Sequence, residues 1–218
     1  MNHIRHMGIH RSVPPITLIG ACGVGSPLSV AICKMGCPEI TLFDGDIVSE
    51  ENIPTQFHPH HLIGQAKVTS VKLMVDLFSD ETEVDMWPTV VDHFTTPETI
   101  VNPIVISAVD TIKARQDIWT VVGRSNALWY IDMRMAAEQI NIYIVDLKQD
   151  ASWYSNYVFG QSDETVPDLP CTSKATIYCG LMAAGHAANI VKRITMKQPI
   201  PRGLIHHIAN NVLIEIDE

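Results

Sequence analysis

The chain contains no C-x-x-C pair. Its five cysteines, Cys22, Cys33, Cys37, Cys171 and Cys179, are odd in number and irregularly spaced. Neither a disulfide framework nor a cysteine-held structural zinc is expected from them. Long apolar runs are missing too: charged or polar residues interrupt each one well before the roughly 18 residues of a membrane span. The opening stretch Met1 to His6 has no apolar segment of the secretory type, so the cytoplasm is the expected compartment. There is no internal repeat and no low-complexity linker. Positive charge is scarce, with 15 Lys and Arg against 24 Asp and Glu and a formal charge of −9. That balance disfavours nucleic acid as a partner but leaves room for local binding of small anions such as phosphates.

What remains is an ordinary globular composition. At 218 residues and 46% hydrophobic content the chain is long enough for one buried core, so a single domain over 1–218 is expected. The first 15 residues precede any strand signal and read as a flexible N-terminal arm. Apolar runs at Ile16 to Ile19, Glu39 to Phe43, Thr82 to Val91 and Pro103 to Val109 read as strands. Helical periodicity falls in Gly64 to Asp80 and Lys113 to Gly123. Ala127 to Asp132 and Gln139 to Leu147 are expected to extend the parallel sheet. The aromatic, β-favouring stretch Ser152 to Phe159 suggests an antiparallel addition. About 161–173 is acidic, contains proline and reads as an exposed crossover loop, followed by a long apolar helix to Thr195. Leu204 to Ile208 and Val212 to Ile216 form a closing hairpin around Asn210-Asn211. The expected fold class is α/β: a Rossmann-like, mostly parallel sheet with helices on both faces and an antiparallel extension in the C-terminal half.

Chemistry concentrates between Ile16 and Lys67. The strand Ile16 to Ile19 runs into Gly20-Ala21-Cys22-Gly23-Val24-Gly25-Ser26 and out through an apolar helix. Glycines let such a turn approach a phosphate, and the helix N-terminus offers free N–H groups to it. The next strand delivers Asp44 and Asp46, and an acidic residue about 20 positions past the turn is placed to bond ribose hydroxyls. A dinucleotide fingerprint G-x-G-x-x-G needs glycine where Cys22 stands. Glycine turns also close parallel-sheet units that bind nothing. Asp44 has a plain alternative as a loop cap, Lys67 as a solvated lysine, and Asp110 as the N-cap of the helix that follows.

The turn G-x-x-G-x-G-S, the pair Asp44 and Asp46, the string Asn52 to Gln56 and Ile63-Gly64-Gln65-Ala66-Lys67, taken with Asp110 and Cys171, resemble the ThiF/MoeB family. These are ATP-dependent activators of ubiquitin-like and sulfur-carrier proteins. The resemblance is closest from Ile16 to Lys72, moderate around Val105 to Arg115 and loose beyond Trp119. It implies ATP and Mg2+ as cofactors, and attack of a partner's C-terminal glycine carboxylate on the α-phosphate to give an acyl adenylate. It also implies that Gly20, Gly23 and Gly25 pack on the nucleotide, Asp44 binds ribose, Asn52 and Lys67 lie along the phosphates, and Asp110 holds magnesium. The implied partner is a small ubiquitin-like or sulfur-carrier protein, the implied assembly a homodimer. Cys171 stands where the activated acyl group can pass to sulfur, and a helix N-terminus favours the thiolate there; a plain, partly buried thiol is the alternative.

Three departures from the family pattern matter. In the Asn-x-x-Arg-Gln string the arginine position holds Thr55, and loss of one transition-state donor costs on the order of 10²–10³ in rate. Lys72 and Arg115 are candidate replacements. The second arginine that a dimer partner donates in relatives would have to come from Arg5 or Arg11. The cysteine pairs that hold zinc are missing, and His58-Pro59-His60-His61 reads as a polar loop or a metal site. These departures keep a second function open, a catalytically weakened relative serving as a nucleotide-binding or partner-binding scaffold. A nicotinamide-dependent oxidoreductase is a third, opposed by Cys22 and Lys67.

Overall fold

The computed structural model describes residues 13–149, 151–161 and 176–217. Eight strands form one sheet: β1 (Ile16–Ile19), β2 (Glu39–Phe43), β3 (Glu83–Trp87), β4 (Ile104–Ser107), β5 (Trp129–Ala136), β6 (Gln139–Asp146), β7 (Gly203–His207) and β8 (Val212–Ile216). Their order is β3-β2-β1-β4-β5-β6-β7-β8. β3, β2, β1, β4 and β5 pair in parallel, and β6, β7 and β8 add in antiparallel fashion.

β1 and β4 are completely buried, which explains their unbroken apolar runs: both faces carry helices. On one face lie α1 (Gly25–Lys34), α2 (Lys67–Phe78) and α5 (Ile177–Thr195). Leu28, Ile32, Val71, Val75, Ala183 and Ala187 of these helices meet Ile16, Leu18, Ile40, Ile106 and Ile142 there. Across the sheet, α3 (Ile112–Val122) and α4 (Ser152–Phe159) bury Ile118, Val122, Tyr154 and Val158 against Ile19, Phe43, Val105 and Tyr130. Successive strand residues thus serve alternate cores, as the period of two requires.

From β1 the chain builds β2 and β3 to one side, then returns to place β4 on β1's other side. Such a reversal opens a crevice at the carboxyl ends of the two central strands, where ligands of open α/β sheets bind. The glycine turn follows β1, and Asp110 follows β4.

Two expectations are corrected. β6 is antiparallel to β5, not a further parallel strand. Only residues 137–138 separate them, with Ala137 at φ 51°, and a parallel crossover needs a dozen residues or more. Ser152 to Phe159 is helical despite its aromatics. Tyr154 and Val158, four apart, share a buried helix face, and the Tyr154 ring meets Trp119 at 4.7 Å and Tyr130 at 5.5 Å. The closing hairpin forms as expected, with Asn211 in the left-handed region at φ 53°. Among the described residues no helix is long and apolar enough to cross a membrane.

Candidate functional site

The turn after β1 is built from close backbone approaches. Gly20 has φ +101°, donates its N–H to the Phe43 carbonyl at 2.8 Å, and would place a Cβ 2.7 Å from the Ala108 carbonyl oxygen. A Cβ on Gly25 would lie 1.9 Å from the Gly20 carbonyl oxygen. Gly23 is different, since its nearest obstacle is the mobile Cε of Met135 at 3.3 Å. Glycine is therefore imposed by packing at Gly20 and Gly25 but not at Gly23. α5 closes over the turn from outside: Gly180 sits so near that its Cβ would be 2.2 Å from the Gly23 carbonyl oxygen. α1 starts from the turn with no side-chain cap on Val24 and no acidic residue in its first turn. That is the arrangement of a helix start suited to an anion.

Asp44 holds the turn from the β2 side. Its Oδ2 accepts the Ala21 N–H at 2.7 Å and its Oδ1 the Asp46 N–H at 2.8 Å. Burial raises its carboxyl above the usual range, opposed by those two hydrogen bonds and by Lys67. Each oxygen keeps a lone pair for another donor. Lys67 is 5% exposed at the first position of α2, and its Nζ reaches Asp46 Oδ2 at 2.8 Å. Burial works against the Lys67 ammonium, but Asp46 and then Asp44 outweigh it and the balance is upward. It is a paired, buried cation, not a solvated surface lysine.

Asp110 is exposed at the end of β4. The N-cap of α3 is Thr111, whose hydroxyl accepts the Ala114 N–H at 3.2 Å, so Asp110 does not cap that helix. The Cys22 thiol donates to the Ala108 carbonyl at 3.1 Å and stands among all three charged groups. Burial and then Asp44 push it up to about 11, Lys67 opposes and Asp110 adds to the rise. Asp44, Lys67 and Asp110 thus converge electrostatically on one point of the turn, although 66 residues separate the first from the last. Cys22 itself is a poor nucleophile at neutral pH.

The string after Asp46 also comes to the turn. Asn52 spends its Oδ1 on the Ser49 N–H at 2.9 Å, closing a 3₁₀ turn. The Thr55 carbonyl oxygen lies 3.5 Å from where a Gly23 Cβ would be, and the Phe57 N–H donates to Ser26 Oγ at 2.9 Å. Gln56 Oε1 is buried and finds no hydrogen-bond partner among the described residues. Thr55 stands beside the turn where an arginine side chain would begin.

Neither suggested replacement for that arginine is free. Lys72 pairs with Asp76 at 3.0 Å on the exposed side of α2. Arg115 is 4% exposed and committed to Asp132, the Met133 carbonyl and the Val109 carbonyl. It fixes the backbone before Asp110, not a phosphate. Cys171, Arg5 and Arg11, with most of the 161–173 loop, lie outside the described residues.

His58, read from the sequence as part of a polar loop or metal site, is buried and braces the turn from behind. It is 6% exposed, with Nε2 2.9 Å from the Ala21 carbonyl and Nδ1 2.9 Å from Ser70 Oγ on α2. Burial, with Lys67 nearby, lowers it to about 4, so the neutral ring donates from Nε2 and accepts at Nδ1. Ala21 is thereby pinned at both ends, its N–H by Asp44 and its C=O by His58. His60 and His61 are exposed, and among the described residues no group of three or more His, Cys, Asp or Glu could hold a metal. The buried pair Asp132 and Arg134 was missed; two charges on one face of an otherwise apolar strand were its signal.

The uncapped start of α1 beside the tight turn is suited to an anion such as phosphate, and Asp44 keeps acceptor lone pairs next to it.

The ThiF family model matches residues 10–214 of the chain. No curated protein matches it. Among solved structures, E. coli MccB with ATP superposes with a TM-score of 0.74 at 15% identity, covering 96% of this chain and 64% of that one. E. coli MccB with AMPCPP and MccA gives 0.72 at 15% identity, covering 93% and 63%. PaaA gives 0.72 at 17% identity, covering 96% and 64%. The present chain therefore spans less than two thirds of the length of these structures, and the likeness at such identities is one of fold.

Proposed function

We propose that this chain, which belongs to the ThiF family, binds ATP in the crevice between β1 and β4 and adenylates a carboxylate of a peptide or small-protein substrate. The observation that carries the reading is the glycine turn held by Asp44 on one side, with Lys67 paired to Asp46 beside it, and packed through Gly20 and Cys22 on Ala108, two residues before Asp110. MccB has been crystallised with ATP, and with AMPCPP and MccA, on the same fold. In this reading Asp44 holds the ribose, the turn and the start of α1 receive the phosphates, and Lys67 offsets their charge with Asp46 as its resting partner. A carboxylate oxygen of the substrate attacks the α-phosphorus, the bond to the bridging oxygen of the β-phosphate breaks, and pyrophosphate leaves with the electron pair. Catalysis of this kind is positioning and charge stabilisation. Asp110 would hold magnesium, which when bound would supply positive charge near the leaving group.

The finer assignment is a cytoplasmic homodimer whose substrate is a small ubiquitin-like or sulfur-carrier protein with a C-terminal glycine, and whose Cys171 accepts the activated acyl group. ATP–pyrophosphate exchange tests the activity. Exchange that requires both magnesium and a glycine-terminated partner supports it, and absence of exchange with a range of such partners refutes it.

Thr55 favours a second reading, a nucleotide-binding scaffold, because neither Lys72 nor Arg115 takes over the missing cation. Thr55→Arg separates the two. A weakened enzyme gains exchange rate on the order of 10²-fold, a scaffold gains none.

A further inference from the structure

The last helix fixes one peptide of the glycine turn. Gly180, in the first turn of α5, faces the Gly23 carbonyl: a Cβ there would lie 2.2 Å from the oxygen and 3.1 Å from the carbon. The oxygen is the nearer atom, so the carbonyl points at the helix. α5 packs beside α1 and over β5 and β6, whereas β2, which carries Asp44, lies on the opposite side of β1. The Gly23 carbonyl is therefore turned towards the β5 side.

α1 makes no use of that oxygen. The bonds of its opening turn are helical, from the Ser26 N–H to the Cys22 carbonyl at 3.0 Å and from the Leu28 N–H to the Val24 carbonyl at 3.1 Å. The bond between those two would run to Gly23 from residue 27, and Pro27 has no N–H to give. The direction of the carbonyl is thus left to its contact with α5, and only a residue without a Cβ lets the helix come so near.

A trans peptide sets its N–H opposite its C=O. With the Gly23 carbonyl aimed at α5, the Val24 N–H points the other way, to the side where Asp44 holds Ala21. Among the described residues this N–H has no acceptor, and Val24 carries no side-chain cap. Val24 is only 6% exposed. An unpaired backbone donor in a buried residue is rare, and a bound acceptor relieves its cost.

We infer that Gly180 is a positioning residue for the phosphates: it lets α5 hold the Gly23–Val24 peptide with its N–H turned to the nucleotide. This rests on the adenylation reading above and adds to it a residue of α5 that itself touches no ligand. A side chain at position 180 must push aside either the helix or the carbonyl, and the donor turns with the carbonyl because the peptide is planar.

The probes are ATP and adenosine, titrated by NMR into the full chain with the Val24 amide as reporter. In the wild type ATP should move that amide proton downfield, as a new bond to a charged oxygen does, and adenosine should not. Gly180→Ala should weaken ATP binding about 10-fold, the size of one hydrogen bond to a charged group, and leave adenosine affinity unchanged. Loss of packing alone would lower the melting temperature without changing the ratio of the two affinities. Gly185→Ala, exposed on the same helix with nothing within 4 Å of its Cβ, should keep the wild-type ratio. A Val24 amide that does not respond when ATP binds overturns the assignment, as does a Gly180→Ala variant with the wild-type ratio. If Gly180→Ala does not fold, the Val24 amide of the wild type decides alone. A wild type that binds no ATP at all removes the adenylation reading, and this inference with it.

Discussion

Acidification tests how the glycine turn is held. His58 bonds Ala21 and Ser70 as a neutral ring, and burial lowers it to about 4 from an ordinary 6.5. In the unfolded chain the same imidazole titrates near 6.5, so between pH 6.5 and 4 the unfolded state binds a proton that the folded state refuses. The stability contributed by this residue is complete above pH 6.5, declines as the pH falls, and is exhausted below about 4. At about 1.4 kcal/mol per pH unit the gap is worth about 3 kcal/mol, a large part of the 5–15 kcal/mol that holds a typical domain together. Urea unfolding of the wild type and of His58→Gln at intervals from pH 7.5 to 4 isolates the effect, since all other titrating groups are common to both. The wild type's advantage should shrink by about 3 kcal/mol across that window. If the two stability curves stay parallel, His58 is not held neutral and its role as a brace is refuted.

Other outcomes follow from the same geometry. Gly25→Ala, facing a carbonyl oxygen at 1.9 Å, should cost at least about 2 kcal/mol by thermal denaturation, whereas Gly23→Ala, facing only the end of Met135, should cost under about 1 kcal/mol. Asp44→Asn turns one of two acceptors into a donor against the Ala21 or Asp46 N–H, and calorimetry should show ATP affinity reduced by about 10-fold or more. Asp110→Ala should abolish pyrophosphate exchange while shifting stability by no more than about 0.5 kcal/mol, because the side chain is exposed. A large loss of stability in that variant would show that Asp110 is a structural residue.

The sequence by itself determined the strands of the parallel half and the position of the turn. Those features are local: β1 and β4 are buried on both faces and read as continuous apolar runs, and a glycine turn between strand and helix announces itself. The direction of β6 was misread as parallel, because the sequence pattern ended β5 at Asp132 and only the structure carries that strand on to Ala136, two residues short of β6. Helix α4 was not, because its aromatics favour a strand in isolation and only their packing on Trp119 and Tyr130 makes a helix face of Tyr154 and Val158. At the site, Asp44 was singled out by its distance past the turn, and Lys67 and Asp110 by the resemblance to the ThiF/MoeB pattern. What each side chain is bonded to was decided by tertiary structure alone. Lys67 is buried against Asp46, Arg115 is withdrawn into a buried ion pair, and His58 lies behind Ala21, 37 residues away. A one-dimensional pattern records which groups are present. Whether a charge is spent or left free depends on neighbours brought from distant strands, as the pairing of Arg115 with Asp132 shows.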